Sequence, residues 1–225
     1  MQFVFDMRAS ESPLVEQVWY TRSVGGGSFM SSAGTNMELV FTRQVGKTTV
    51  TMRGPETQAR PAPVPEDVEF MGIIFKLGTY IHPFPTYALL NGSINLPDAC
   101  RQSFWLYGAV WEIPNFENVD TFVARLTRQE LLVRDDIVAS VLEDQPHDLS
   151  IRSVRRHFLR STGLTLSTIR KIERARQAAE LLRQGKSILD TVFELGYFDQ
   201  PHLTRALKYL IGQTPAQLIS QNKSD

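Results

Sequence analysis

Gly196-Tyr197-Phe198-Asp199-Gln200-Pro201-His202-Leu203-Thr204-Arg205, continued by Ala206-Leu207-Lys208 and Gly212-Gln213-Thr214-Pro215, is the stretch whose reading decides the fold. An apolar helix, Ser187 to Leu195, stops at a glycine, and a short turn leads into a second helix over Gln200 to Ile211. Val192, Leu195, Leu203, Leu207 and Leu210 fall at the spacing of one packing stripe. Gln200, Pro201, Thr204, Arg205 and Lys208 are left to other faces. Two helices joined in this way present the second to the major groove of a duplex. Glutamine pairs with adenine edges and arginine with guanine edges, while Thr204 and Lys208 suit phosphates. Pro201 costs nothing in a first turn, where its missing N–H has no partner to lose, and it can meet a thymine methyl. His202 is left open between a packing and a solvent role.

A second unit of this kind lies upstream. Ser150 stands as an N-cap before Ile151 to Arg160, and Gly163 closes the helix. Val154 and Phe158, with Ile151 as a third candidate, face inward, leaving Arg152, Arg155 and Arg156 on a single face at i, i+3, i+4. Three guanidiniums side by side repel one another unless an anion sits opposite, so Ser150, Arg152, Arg155 and Arg156 are candidate DNA contacts. A helix from Thr165 to Gln184 joins the units, with Ile169, Ile172, Ala175, Ala178, Ala179, Leu181 and Leu182 as its buried stripe. Such a helix spans ~30 Å, against a groove repeat of ~34–36 Å. The spacing predicts that one chain reads two adjacent major grooves.

The net charge of zero hides an asymmetry. Residues 1–113 carry 8 Lys and Arg against 10 Asp and Glu, residues 114–149 carry 3 against 8, and residues 150–215 carry 12 against 5. A basic block on an otherwise acidic chain is the footprint of a polyanion partner, here double-stranded DNA. No apolar run approaches the ~18 residues of a membrane span, and the N-terminus does not read as a leader, so no membrane partner is expected. The single cysteine, Cys100, fits a reducing cytoplasm.

Leu149-Ser150, Phe158, Thr162-Gly163, Arg174, Ala178, Leu181-Leu182, Gly185, Ile188, Gly196-Tyr197, Asp199-Gln200, His202, Arg205, Lys208 and Gly212 to Pro215 together resemble the DNA-binding domain of AraC/XylS-type transcription regulators. The resemblance implies that both second helices enter major grooves. It assigns base-facing roles to Arg152, Arg155 and Arg156 in the first unit, and to Gln200, Pro201, Thr204 and Arg205 in the second. The first scaffold helix is then Asp136 to Glu143, with a proline-containing turn around Pro146. RNA polymerase is an expected partner of such a regulator, which acts as a monomer or homodimer.

Before residue 114 the chain reads as β. Glu38 to Arg43, Lys47 to Met52 and Val68 to Phe75 are strand-like runs, with breaks at Gly25 to Gly27, Gly54-Pro55, Pro61 to Pro65 and Asn91-Gly92. Pro13 to Tyr20 is open between helix and strand. The expected fold class is α+β in two domains: an N-terminal antiparallel β sandwich or barrel, loosely similar to the cupin-like sensor domains of such regulators, and a C-terminal all-α double helix-turn-helix. Residues 1–113 would be a sensor or dimerisation domain, 114–134 a helical connector, and 135–225 the DNA-binding domain. In the connector Val119, Phe122, Val123, Leu126 and Glu130 to Leu132 fall at helical spacing.

Residues 1–113 hold one histidine, His82, too few for a cupin-like metal site, and no nucleophile elbow or phosphate loop occurs. No cofactor, metal or enzymatic activity is expected. Trp19, Phe41, Phe75, Trp105 and Trp111 are candidates to line a pocket for a small organic effector. Phe104 to Tyr107 and Trp111 serve equally well as a dimer or interdomain surface. The rival reading is a small-molecule-binding or enzymatic β-domain with a helical protein-interaction module. A DNA-repair transfer enzyme would need a reactive cysteine in a Pro-Cys-His-Arg context, which Cys100 lacks.

Overall fold

In the computed structural model, which describes residues 2–82 and 84–221, the β-like runs are strands of one antiparallel sheet. In chain order the strands are β1 (Gln2–Arg8), β2 (Val15–Val24), β3 (Gly27–Ser31), β4 (Glu38–Gln44), β5 (Lys47–Arg53), β6 (Arg60–Val64), β7 (Val68–Phe75), β8 (Thr79–Ile81), β9 (Ser93–Asn95), β10 (Ser103–Leu106) and β11 (Ala109–Glu112). The helical part follows, with one further strand: α1 (Val119–Arg128), β12 (Leu132–Arg134), α2 (Asp136–Leu142), α3 (Ile151–Thr162), α4 (Leu166–Arg183), α5 (Ile188–Glu194), α6 (Gln200–Leu210) and α7 (Pro215–Gln221). The result is an α+β chain, β-rich at its N-terminal end and helical at its C-terminal end. The described residues fall into two compact units. One comprises Met1–Gly27, Asn36–Pro55 and Pro63–Thr165; the other comprises Ser28–Thr35, Glu56–Ala62 and Leu166–Asp225.

The first unit is built on a six-stranded sheet of order β1-β2-β7-β4-β5-β9. Pro13 and Leu14 form a turn and Val15 to Tyr20 begin β2, whose Val15 and Val18 are buried. The β10–β11 hairpin and α1 form a second layer. Phe41 from the sheet lies 5.9 Å from Phe104 and 6.0 Å from Phe122, and Trp111 lies 5.9 Å from Phe122, all edge-on. On the sheet's opposite face the Trp19 ring crosses Gly72, where a Cβ would overlap the indole. Only glycine allows that approach.

Two expectations change here. The helical spacing through Glu130 to Leu132 is not a continued helix: α1 stops at Arg128, Glu130 takes φ +57, and Leu132 opens β12, paired with β8 at Ile81. The two leucines are buried, and apolar pairs of this kind fit a short strand as well as a helix. The run Pro61 to Pro65, read as a break, contains β6, which pairs with β3. A two-stranded ribbon leaves each strand an unpaired edge, where the missing N–H groups of Pro61 and Pro63 cost nothing.

At the end of the first unit, Asp135 caps α2 by accepting from the N–H groups of Ile137 and Val138. Ser150 caps α3 through Ser153 N, and Gly163, at φ 71, closes it. Val154 and Phe158 are buried in α3, but Ile151 is 89% exposed. It sits in the first turn, beyond the reach of the packing face.

In the second unit α4 buries Ile169, Ile172, Ala175, Ala178, Ala179 and Leu182, while Leu181 is only half-buried. Ser187 caps α5 through Asp190 N, and Asp199 caps α6 through His202 N. The β3–β6 ribbon belongs to this unit through Ser28–Thr35 and Glu56–Ala62.

Candidate nucleic-acid interface

Helix α6 is amphipathic in the sense the sequence predicts. Leu203, Leu207 and Leu210 are buried, Val192 and Leu195 of the preceding segment are half-buried, and Gln200, Pro201, Arg205 and Lys208 are exposed, with Thr204 half-buried. Pro201 occupies the first turn. The polar end and one cationic side are therefore free to meet a ligand, while the leucines hold the helix down.

The turn before α6 is built by residues that sequence reading undervalued. The Arg174 guanidinium stacks over the Tyr197 ring at 4.4 Å, and its Nη1 donates to Gly196 O at 3.5 Å. Tyr197 is 5% exposed, and burial pushes its phenol pKa up, with the Arg174 charge pulling in the opposite direction. The His202 ring stands edge-on to Tyr197 at 5.2 Å, and its Nδ1 accepts from Phe198 N at 3.3 Å. His202 is thus a packing residue of the turn. Gly196, at φ +64, lets the chain reverse between α5 and α6. The signal for the Arg174–Tyr197 pair was present as an arginine and a tyrosine among the quoted residues, but they are 23 positions apart, beyond any helical or strand period.

In the first unit, Arg152, Arg155 and Arg156 are exposed on α3, and among the described residues none of the three is ion-paired. Arg160, on the same helix, is tied at 3.3 Å to the Asp135 carboxylate, which is 2% exposed and also holds His157 Nδ1 at 2.9 Å. Three arginines are thus free for an anion and the fourth is structural. The Ser150 hydroxyl is committed to the helix start, accepting from Ser153 N at 3.2 Å. Arg170, Lys171 and Arg174 line a basic cleft with Leu166 and Ser167 at the start of α4, a feature the sequence reading did not single out.

The five aromatic candidates for an effector pocket are not brought together. Phe75 and Trp111 are fully buried core. Trp19 stacks on Phe5 with centroids 6.0 Å apart and donates its indole N–H to Glu38. Trp105 is 39% exposed on the β10–β11 hairpin. Phe41 borders a cavity of about 330 Å³, shared with Tyr20, Arg43, Glu69, Phe116 and Glu117. Strand alternation is the reason: Trp19 stands opposite Gly72 and Val40 on one face, and Phe41 opposite Met71 on the other. Burial, reinforced by the neighbouring Glu69 carboxylate, raises the Tyr20 phenol pKa. Among the described residues no group of three His, Cys, Asp or Glu side chains is placed to hold a metal ion, and no helix is long and apolar enough to cross a membrane.

Capped helices in pairs, a glycine turn, and a second helix whose polar end stands free define a helix-turn-helix domain. Residues 147–221 match the family model described as a helix-turn-helix domain, and they form a C-terminal domain of the AraC type. The chain is also similar to the HTH-type transcriptional regulator RipA of Corynebacterium diphtheriae, with 35% identity over 98 residues. The match takes in 43% of this chain, which spans 29% of that relative's length. No solved structure matches the chain.

Proposed function

We propose that this protein is a sequence-specific DNA-binding transcription regulator that acts by binding, without covalent chemistry. The observation that carries the reading is α6 itself, in a segment that matches a helix-turn-helix family. Its leucines are buried, its start is capped by Asp199, and Gln200, Pro201, Arg205 and Lys208 are exposed. Arg205 and Gln200 read base edges, and Thr204 and Lys208 engage phosphates. Arg152, Arg155 and Arg156 on α3 serve the first recognition helix, so that the two helices read two adjacent major grooves. The charge excess of residues 150–215 and the similarity to an HTH-type transcriptional regulator support the same reading.

In functional terms residues 135–225 make the DNA-binding part, residues 1–113 a sensor or dimerisation part, and residues 114–134 the connector. The cavity beside Phe41 and Tyr20 is the candidate seat of a small organic effector that shifts the population of DNA-competent molecules. RNA polymerase and a second copy of the chain are the further partners of this reading, and its setting is the cytoplasm. Selection from a pool of random duplexes tests the proposal. Enrichment of a site with two half-sites about one helical turn apart is expected; a pool that stays random rejects it.

A further inference from the structure

The last carbonyls of a helix have no partner inside it and must be satisfied from elsewhere. In α6 those partners come from the residues that flank the paired strands of the β3–β6 ribbon. Ala59 N donates to Tyr209 O at 2.8 Å, Ala33 N donates to Leu210 O at 2.7 Å, and the Ser32 hydroxyl donates to Ile211 O at 3.3 Å. Leu207 O is closed by the chain itself, through Ile211 N at 2.8 Å and Gly212 N at 3.0 Å. The ribbon is seated against Gly212, which takes φ +81: a Cβ there would overlap the Met30 side chain and meet Ala59 Cβ at 3.1 Å. It is braced in turn. Gly34 and Glu56 exchange backbone hydrogen bonds of 2.9 Å, Ser31 Oγ donates to Glu56 Oε2 at 2.8 Å, and Thr35 Oγ1 donates to Glu173 Oε1 on α4 at 3.0 Å.

We infer that the β3–β6 ribbon is a working part of the DNA reader: a clamp, centred on Ala33, Ala59 and Met30, that fixes the C-terminal end of α6 and so the angle at which Gln200 and Arg205 meet bases. This rests on the DNA-binding reading of α6. The ribbon lies outside the segment that matches the helix-turn-helix family, so the clamp is supplied by this chain's N-terminal half in sequence. The residues involved are positioning residues. None needs to touch DNA, because a rigid helix transmits a change at its last turn to its first. A loosened clamp leaves the cations of α6 in place, so binding to any duplex persists while discrimination between sequences declines.

The test is a double-mutant cycle on the full chain, Gly212→Ala with Met30→Ala, read against an operator recovered by duplex selection and against a scrambled duplex. Gly212→Ala is expected to weaken operator binding about tenfold and scrambled-duplex binding hardly at all; adding Met30→Ala, which removes the Met30 atoms the new Cβ would strike, recovers the part of that loss due to the overlap, while the strain of an alanine at φ +81 remains. Additive effects in the cycle, or equal losses on both duplexes, overturn the inference. Hydrogen exchange on the DNA-free chain gives a second reading. The Ala33 and Ala59 amides are expected to be protected in the unaltered chain and to exchange faster in Gly212→Ala. Exchange at open-loop rates in the unaltered chain also overturns it. If the unaltered chain enriches no duplex, the DNA reading itself falls; if it does and Gly212→Ala discriminates as well as the unaltered chain, only the clamp's role falls.

Discussion

His157 Nδ1 lies 2.9 Å from the carboxylate of Asp135, a residue 22 positions earlier that also caps α2. One buried acid therefore sets the start of a scaffold helix and the orientation of the helix that carries Arg152, Arg155 and Arg156. Removing it leaves the His157 ring, the Arg160 guanidinium and two helix N–H groups without this partner. Asp135→Ala is expected to destabilise the protein by about 2–4 kcal/mol, the sum of a lost cap and of the hydrogen bonds that the buried carboxylate makes to His157 and Arg160. Thermal or urea unfolding measures it, and a loss within about 0.5 kcal/mol, typical of ordinary surface changes, contradicts the role.

Arg205→Ala is expected to weaken specific DNA binding by about 1–3 kcal/mol and to relax preference at one base position. Operator titrations with single-base variants read both effects. Equal affinity across those titrations removes Arg205 from base reading.

The exposed arginines of α3 make a different prediction. Arg155→Ala is expected to reduce the slope of log affinity against log salt by about 1 if its partner is a phosphate, and to leave the slope unchanged but alter base preference if its partner is a base. A variant changed in neither respect places Arg155 outside the interface.

Tyr20 and Tyr197 both have phenol pKa values raised by burial. A group whose folded-state pKa lies above its unfolded value binds more protons in the native state, so its stabilising effect is present below the unfolded value, near 10 for tyrosine, and is lost as pH rises through the folded one. Ultraviolet titration is expected to show Tyr20 and Tyr197 ionising above the ordinary tyrosine value, with stability falling above pH about 10. Loss of that late ionisation in neither Tyr20→Phe nor Tyr197→Phe would contradict both environments.

Gly72→Ala puts a methyl group into the space of the Trp19 indole. Overpacking of that kind costs about 1–3 kcal/mol, and the ring must leave its stack on Phe5 and its bond to Glu38. A shift in tryptophan emission together with a lower midpoint of unfolding is the expected result.

Much of the helical half is legible in the sequence. Ser150, Gly163 and Pro201 stand at helix ends as their chemistry dictates, because capping is settled within three or four residues of chain; the caps Ser187 and Asp199 emerge from the structure. The buried stripes of α4 and α6 follow the helical period for the same reason. Where local signals were equivocal the reading slipped. Glu130 to Leu132 joins a strand, Pro61 and Pro63 sit inside one, and Ile151 faces solvent. The aromatic candidates were scattered because a strand sends neighbours to opposite faces, and composition carries no record of which face is which.

The sequence by itself determined the class of the C-terminal part, the positions of its helices and the side chains left free on α3 and α6, since periodicity, caps and charge are properties of short windows. Only the tertiary structure decided what holds those helices in place: Asp135 beneath His157 and Arg160, Arg174 over Tyr197, and Ala33 and Ala59 on the last turn of α6. Those pairings join residues 22 to 177 positions apart, and contacts at such separation are chosen by the packing of the folded chain, to which no short window of sequence has access.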